Sequence, residues 1–400
     1  DAGQRRFAVD ERPEGRAELL FEGLDCCADI YLNGVLVGSG DNMLIPQTHD
    51  VDEVLGEENE LLVHIRPATD VARRYDYPPN VAAGRCNYDG LYIRKAPHMY
   101  GWDIMPRVVS AGIWRGVTLI VHGDYEIVDA HYRAYDVSDA HAGLHLRWKI
   151  DAPMADWSRL HLRLSGECGD SRFEKTVPVT FAAGNINVSI NAPKLWWPRG
   201  YGDANLYDVT LELLLDGECV DRRTDRIGLR EVALERTDIT DTTHPGEFVF
   251  RVNGERILVK GTNWVPVDAF HSRDRDRIPT IMEYIADSAC NMIRCWGGNV
   301  YEDDVFYDTC DRLGVLVWQD FAMACARYPQ DDDFATRLTE EVEAVVRRLR
   351  NHPCIALWAG DNECDYNHFS VGMDPNENRS TRKTIPAVLH RLDPWRPYLP

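Results

Sequence analysis

A chain of 400 residues is too long for one small core and sets an expectation of two to four domains. Its formal charge of −21 and pI near 5.0 argue against a nucleic-acid backbone or an anionic membrane surface as partner, because both would repel it. A neutral or cationic ligand fits better, and the 11 Trp and 17 Tyr supply rings that pack cores and can also stack on the apolar faces of sugars.

The start, "DAGQRRFAVDERPEGRAELLFEG", has no initiator Met and no apolar targeting segment, so the chain is read as beginning inside a longer protein. From residue 15 to 122 short apolar runs alternate with turn residues. In "DIYLNGVLVGSG" the pair Asn33-Gly34 between two such runs signals a hairpin, since both positions favour positive φ. This stretch predicts an all-β sandwich.

From about 124 to 236 the alternation is cleaner. In "GLHLRWKID", Leu144, Leu146, Trp148 and Ile150 fall on one face and His145, Arg147 and Lys149 on the other, as a strand with one wet side requires. "RLHLRLSG" and "LYDVTLELLLDG" repeat the pattern, which predicts a small immunoglobulin-like sandwich.

Near residue 250 strands begin to alternate with helices. "ERILVKGTNW", "NMIRCW", "VLVWQDF" and "CIALWAG" read as strands, and "RIPTIMEYIADSAC", "EDDVFYDTCDRLG" and "DFATRLTEEVEAVVRRLRN" as helices. In the longest helix Phe334, Leu338, Val342, Val345 and Leu349 form the stripe of a helix lying on a sheet. Four such units predict parallel strands and the first half of a (β/α)8 barrel. Half a barrel would leave its last strand unpaired, so the chain is expected to continue past Pro400.

In a barrel the loops after the strands form the active face. Here they carry "GTNWVP", "CWGGNVYE", "QDFAMACARYP" and "GDNECD", delivering Asn263, Trp264, Arg294, Trp296, Asp320, Asn362 and Glu363 to one rim. With no phosphate-cradling glycine loop and no His cluster, this is the composition of a sugar site: rings stack, amides and Arg bind hydroxyls, and a carboxyl moves the proton. Each residue also has a plainer reading, Trp as wedge packing, Arg294 as a structural ion pair and Glu363 as a solvated loop acid.

The 11 cysteines form no CxxC pair and no Cys/His zinc spacing; scattered through "NMIRCW" and "HPCIALW", they read as reduced thiols and predict a cytoplasmic location. No apolar run is long enough to span a membrane.

The blocks "KGTNWVPVDAF", "NMIRCWGGNVYEDDVFYDTCDRLGVLVWQDF", "ACARYP" and "WAGDNE" resemble glycoside hydrolase family 2, and within it the β-mannosidases. Upstream, "FEGLDCCADIYLNG", "GWDIMPR", "AGIWRGVTL" and "LWWPRGYGDANLYDVTL" are similar to that family's jelly roll and first immunoglobulin-like domain, in the same order along essentially the whole chain. The resemblance implies a multidomain β plus α/β chain. Its parts are a jelly-roll sugar-binding-like domain at 1–123, incomplete at its start, an immunoglobulin-like β-sandwich at 124–237 and the first half of a (β/α)8 TIM barrel at 238–400.

It further implies a retaining exo-glycosidase that releases terminal non-reducing β-D-mannose from an oligosaccharide or glycan, with no cofactor and no metal. Such enzymes use two carboxyl groups about 5 Å apart, one donating a proton to the leaving oxygen and the other forming a glycosyl-enzyme bond. By its Asn-Glu motif Glu363 matches the acid/base, and Asn362 the residue that holds the sugar's 2-hydroxyl. Arg294 and Trp296 match pocket residues, and Asp103, beside Trp102 in "GWD", an acidic residue that the jelly roll extends into the site. Asn263 and Trp264 complete the expected substrate-binding set. The nucleophile of such enzymes ends the seventh barrel strand and is expected beyond residue 400, so residues 1–400 alone are expected not to turn over substrate.

Four positions depart from the pattern. Ile104 and Met105 stand where the family usually has Trp-Gly, Asn299 where a third glycine is usual, and Asp361 where Asn is common. The exact sugar therefore stays open, with exo-β-glucosaminidase, β-galactosidase and a non-catalytic carbohydrate-binding relative as alternatives. Oligomeric state stays open too, a homodimer included.

Overall fold

Asn33 and Gly34 sit at φ 53° and 80° and join strands Ala28–Leu32 and Val35–Gly40, the positive pair that a two-residue hairpin needs. The structure, a computed structural model, describes residues 2–9, 15–83, 88–238 and 241–400; Cys86 lies outside them.

Two antiparallel sheets make the first unit. One orders Ala2–Ala8, Glu58–Ile65, Ala28–Leu32 and Val35–Gly40, and the other Val117–Val121, Ala17–Phe21 and Gln47–Asp50. Alternate residues of the inner strands, such as Leu19, Phe21, Ile30, Leu32, Leu61 and Val63, meet in one apolar cluster between the sheets.

The second unit is another two-sheet sandwich. Glu126–Tyr135, His141–Asp151 and Ala183–Asn191 face a sheet ordered Ser171–Pro178, Leu160–Cys168, Tyr207–Leu215 and Glu218–Ile227. Leu144, Leu146, Trp148 and Ile150 point inward while Arg147 and Lys149 are exposed. This core contains residues of the second unit alone.

The third unit is a parallel sheet whose strands lie in chain order: Gly261–Trp264, Met292–Cys295, Leu316–Asp320, Ile355–Ala359 and Tyr398–Leu399. Helices Asp274–Asp287, Asp304–Leu313, Asp332–Leu349 and Ile385–Leu392 connect them. Aspartates cap two of these helices, Asp303 accepting from Val305 N and Asp331 from Phe334 N, and Gly314 at φ 69° ends one. The sequence predicts four strands; the fifth, two residues long, pairs Trp358 with Tyr398 and Ala359 with Leu399. The expected last strand is thus interior rather than unpaired. Among the described residues the sheet stays open, with Gly261–Trp264 and Tyr398–Leu399 as its edges, so no closed barrel is seen.

The long helix buries Phe334, Leu338, Val342, Val345 and Leu349, and with them Glu341. Glu341 is fully buried and meets Arg94 of the first unit through two hydrogen bonds, 2.8 Å from Nε to Oε2 and 2.7 Å from Nη2 to Oε1. Asn42 Nδ2 and the Tyr301 hydroxyl also donate to it, at 2.9 and 2.8 Å. Around this pair Met43, Leu91, Met99 and Tyr100 of the first unit share one core with Phe306, Phe321 and Leu338 of the third. The ten described cysteines form no disulfide, and no described helix is long and apolar enough to cross a membrane.

Candidate active site

Parallel pairing sets Asn263 opposite Arg294 and Arg294 opposite Trp318, so these three share one face of the sheet. That face borders a cavity lined also by Phe248 and Leu258. Trp264, one residue on, faces the other way. It is buried against Phe306, with ring centroids 4.7 Å apart, and its indole N–H donates to Glu302 Oε1 at 2.7 Å. The sequence expects it at the substrate; in the structure the two-residue period that turns Asn263 toward the cavity turns Trp264 into the core.

Arg294 is the hub of the rim. Its Nη2 donates to Asp320 Oδ2 at 2.6 Å and to Asn362 Oδ1 at 2.9 Å. Asp320 also accepts from Gly297 N at 3.1 Å and from the Trp318 indole at 3.0 Å. Burial pushes the Asp320 carboxyl up to about 6 against the opposing pull of Arg294. These bonds describe the plainer of the two readings of Arg294, a structural ion pair, and show that the pair also orients an amide.

Gly297 is required by close approach, since a Cβ there would lie 2.5 Å from Met323 O and 3.3 Å from Asn362 N. It bridges the Asn362 loop to Trp296, which is buried and meets Trp102 edge-on at 5.0 Å and 65°. Thus Trp102 of the first unit reaches the rim, with Asp103 and Ile104 exposed beside it. Main-chain bonds support the contact: His98 N donates to Gly298 O at 3.0 Å, and Ala82–Ala83 pairs antiparallel with Ala326–Arg327. Asn299 gives its side-chain amide to Glu302 Oε1 at 2.6 Å. Glu302, whose carboxyl is pushed up to about 8 first by burial and then by Asp274, accepts from both Asn299 and Trp264.

The strand Ile355–Ala359 is buried throughout and leads through Gly360 to Asp361, Asn362 and Glu363. Asp361 is pushed up to about 7 by burial, although Cys364 N donates to it at 3.0 Å. Asn362 is buried. Glu363 is exposed and takes the left-handed conformation at φ 60°, ψ 15°, a strained choice for a residue with a long side chain. Cys325, also left-handed at φ 48°, donates its thiol to Glu363 Oε2 at 3.0 Å. The sequence gives no sign of this thiol contact, because Cys325 reads there only as one of several scattered thiols. Asp320 sits on the rim in the sequence reading, but its hold on Arg294 becomes visible only in three dimensions.

Residues 3–115 match the glycosyl hydrolase 2 galactose-binding domain-like family, and residues 128–230 match glycosyl hydrolases family 2. The chain belongs to glycoside hydrolase family 2. Among curated family 2 relatives, it is 36% identical over 372 residues to beta-mannosidase B of Thermothelomyces thermophilus, covering 90% of this chain and 43% of that protein. It is 32% identical over 371 residues to the beta-mannosidase of Capra hircus, covering 87% and 41%. The crystal structure of the beta-D-mannosidase from Dictyoglomus thermophilum superposes with a TM-score of 0.88 at 33% identity, covering all of this chain and 50% of that one. The chain thus spans half or less of the length of these relatives.

Proposed function

We propose that the protein is a retaining exo-glycosidase that removes terminal β-D-mannose from the non-reducing end of β-mannosides, with Glu363 as its acid/base. The observation that carries this reading is the Asn362–Glu363 pair at the end of the fourth parallel strand, with the Asn362 amide oriented by Arg294 and Asp320. An oriented amide beside an exposed carboxyl is what a proton donor with a partner for the sugar's 2-hydroxyl requires. In this reading the open sheet is the first half of a (β/α)8 barrel, and the nucleophilic carboxylate comes from sequence after residue 400. Trp102, Asp103, Trp296 and Asn263 line the pocket around the sugar. The likeness to three proteins named as β-mannosidases supports the choice of sugar.

Glu363→Gln in the full-length protein tests the assignment. Hydrolysis of natural mannosides should fall about 10²- to 10⁴-fold, and that of aryl mannosides with good leaving groups far less, because those leave without a proton. Equal losses on both would remove Glu363 from the role. A panel of aryl β-mannoside, glucoside, galactoside and glucosaminide identifies the sugar, and faster cleavage of any other than the mannoside would replace mannose.

A further inference from the structure

Cys325 lies between the two residues that the proposed function relies on, and the hydrogen bonds around it run in only one direction. Arg294 has donors alone, so its bond to Asn362 Oδ1 at 2.9 Å fixes which end of the Asn362 amide faces it. The Asn362 NH₂ group must then face away, and Nδ2 lies 3.3 Å from Cys325 Sγ. A sulfur that accepts from an amide keeps its own hydrogen for another acceptor, and Glu363 Oε2 stands 3.0 Å away. The backbone holds the same geometry: Cys325 N donates to Asn362 O at 2.8 Å and Asn362 N to Met323 O at 3.0 Å. Cys325 and Glu363 both adopt left-handed conformations, so two adjoining loops bear strain at the point where their side chains meet.

We propose that Cys325 is a positioning residue that determines which oxygen of Glu363 carries the acidic proton. Its thiol donates to Oε2, which disfavours a second hydrogen on that oxygen. When the carboxyl is protonated, the proton is left on Oε1 and free to move to a departing oxygen. The orientation originates at Asp320 and passes through Arg294, Asn362 and Cys325 to Glu363. This inference rests on the acid/base role of Glu363 proposed above.

The test compares Cys325→Ala and Cys325→Ser in the full-length protein, reading kcat/KM for two aryl β-glycosides of the accepted sugar, one with a phenyl and one with a dinitrophenyl leaving group. The alanine variant should lose about 10-fold on the phenyl glycoside, which needs protonation, and less than about 2-fold on the dinitrophenyl one. The serine variant, with an O–H that both accepts and donates, should recover most of the phenyl rate. Melting temperatures of both variants show whether either has failed to fold. Equal loss on both substrates, no loss on either, or a serine variant as slow as the alanine one overturns the proposal. A wild-type protein that cleaves no aryl β-glycoside refutes the proposed function, and the inference with it. A wild type sensitive to Glu363→Gln but indifferent at Cys325 refutes the inference alone.

Discussion

The second sandwich and the parallel sheet are built in opposite ways. The sandwich closes its own core from alternating Leu, Ile and Val, and its buried carboxylate Glu212 meets Arg163 and Arg222 at its surface. The parallel sheet shares its core with the first unit and buries Glu341, Glu302 and Asp320 inside it. The contrast separates a module that holds itself together by apolar burial from one in which polar groups hold a site in shape, at a cost in desolvation.

The sharpest way to break this contrast is Glu341→Ala. It strips the buried Arg94 of its charged partner and should cost about 3–5 kcal/mol. Hydrogen exchange in the full-length protein should rise in the first and third units together and leave the strands at 126–227 protected; exposure confined to one unit would contradict the shared core. The counterpart is Leu162→Ala, at a fully buried position of the second sandwich. A loss of about 2–4 kcal/mol is expected, with exchange rising in that module and rates on aryl glycosides unchanged.

The smallest effect concerns pH. Asp361 sits at about 7 in the folded chain against an ordinary 3.8, so its contribution to stability is full below about pH 4 and is lost as pH rises toward 7. In Glu212 burial pushes the pKa up, but hydrogen bonds from Arg163 and Arg222 outweigh it and the carboxyl lies below 4.5; its contribution is lost as pH falls through that range. Asp361→Asn should therefore raise the melting temperature at pH 8 and leave it nearly unchanged at pH 4. A variant equally stabilised at both would show that the Asp361 charge is not the cause.

Much of this architecture is legible in the sequence because it follows local rules. The Asn33-Gly34 turn, the inward set from Leu144 to Ile150 and the stripe from Phe334 to Leu349 all follow from turn chemistry and periodicity. Glu341 escapes the same rules, since a charge within a helix is expected to face water and partners far off in sequence, Arg94 above all, reverse that. The direction of Trp264 is illegible for a related reason: a strand of four residues has a period but too few members to fix its phase. The strand at Tyr398–Leu399 is too short to read at all. At the site, Arg294, Asn362 and Glu363 are legible as residue types on strand ends, whereas the thiol between them depends on two backbone strains that no pattern announces.

The short ladder between Ala82–Ala83 and Ala326–Arg327 has a consequence for protein engineering. Because it fastens a stretch of the first sandwich to the segment that follows Cys325, the two pack as one piece. A chimera that exchanges the N-terminal domain with that of a relative should retain its turnover only when residues 321–328 travel with it.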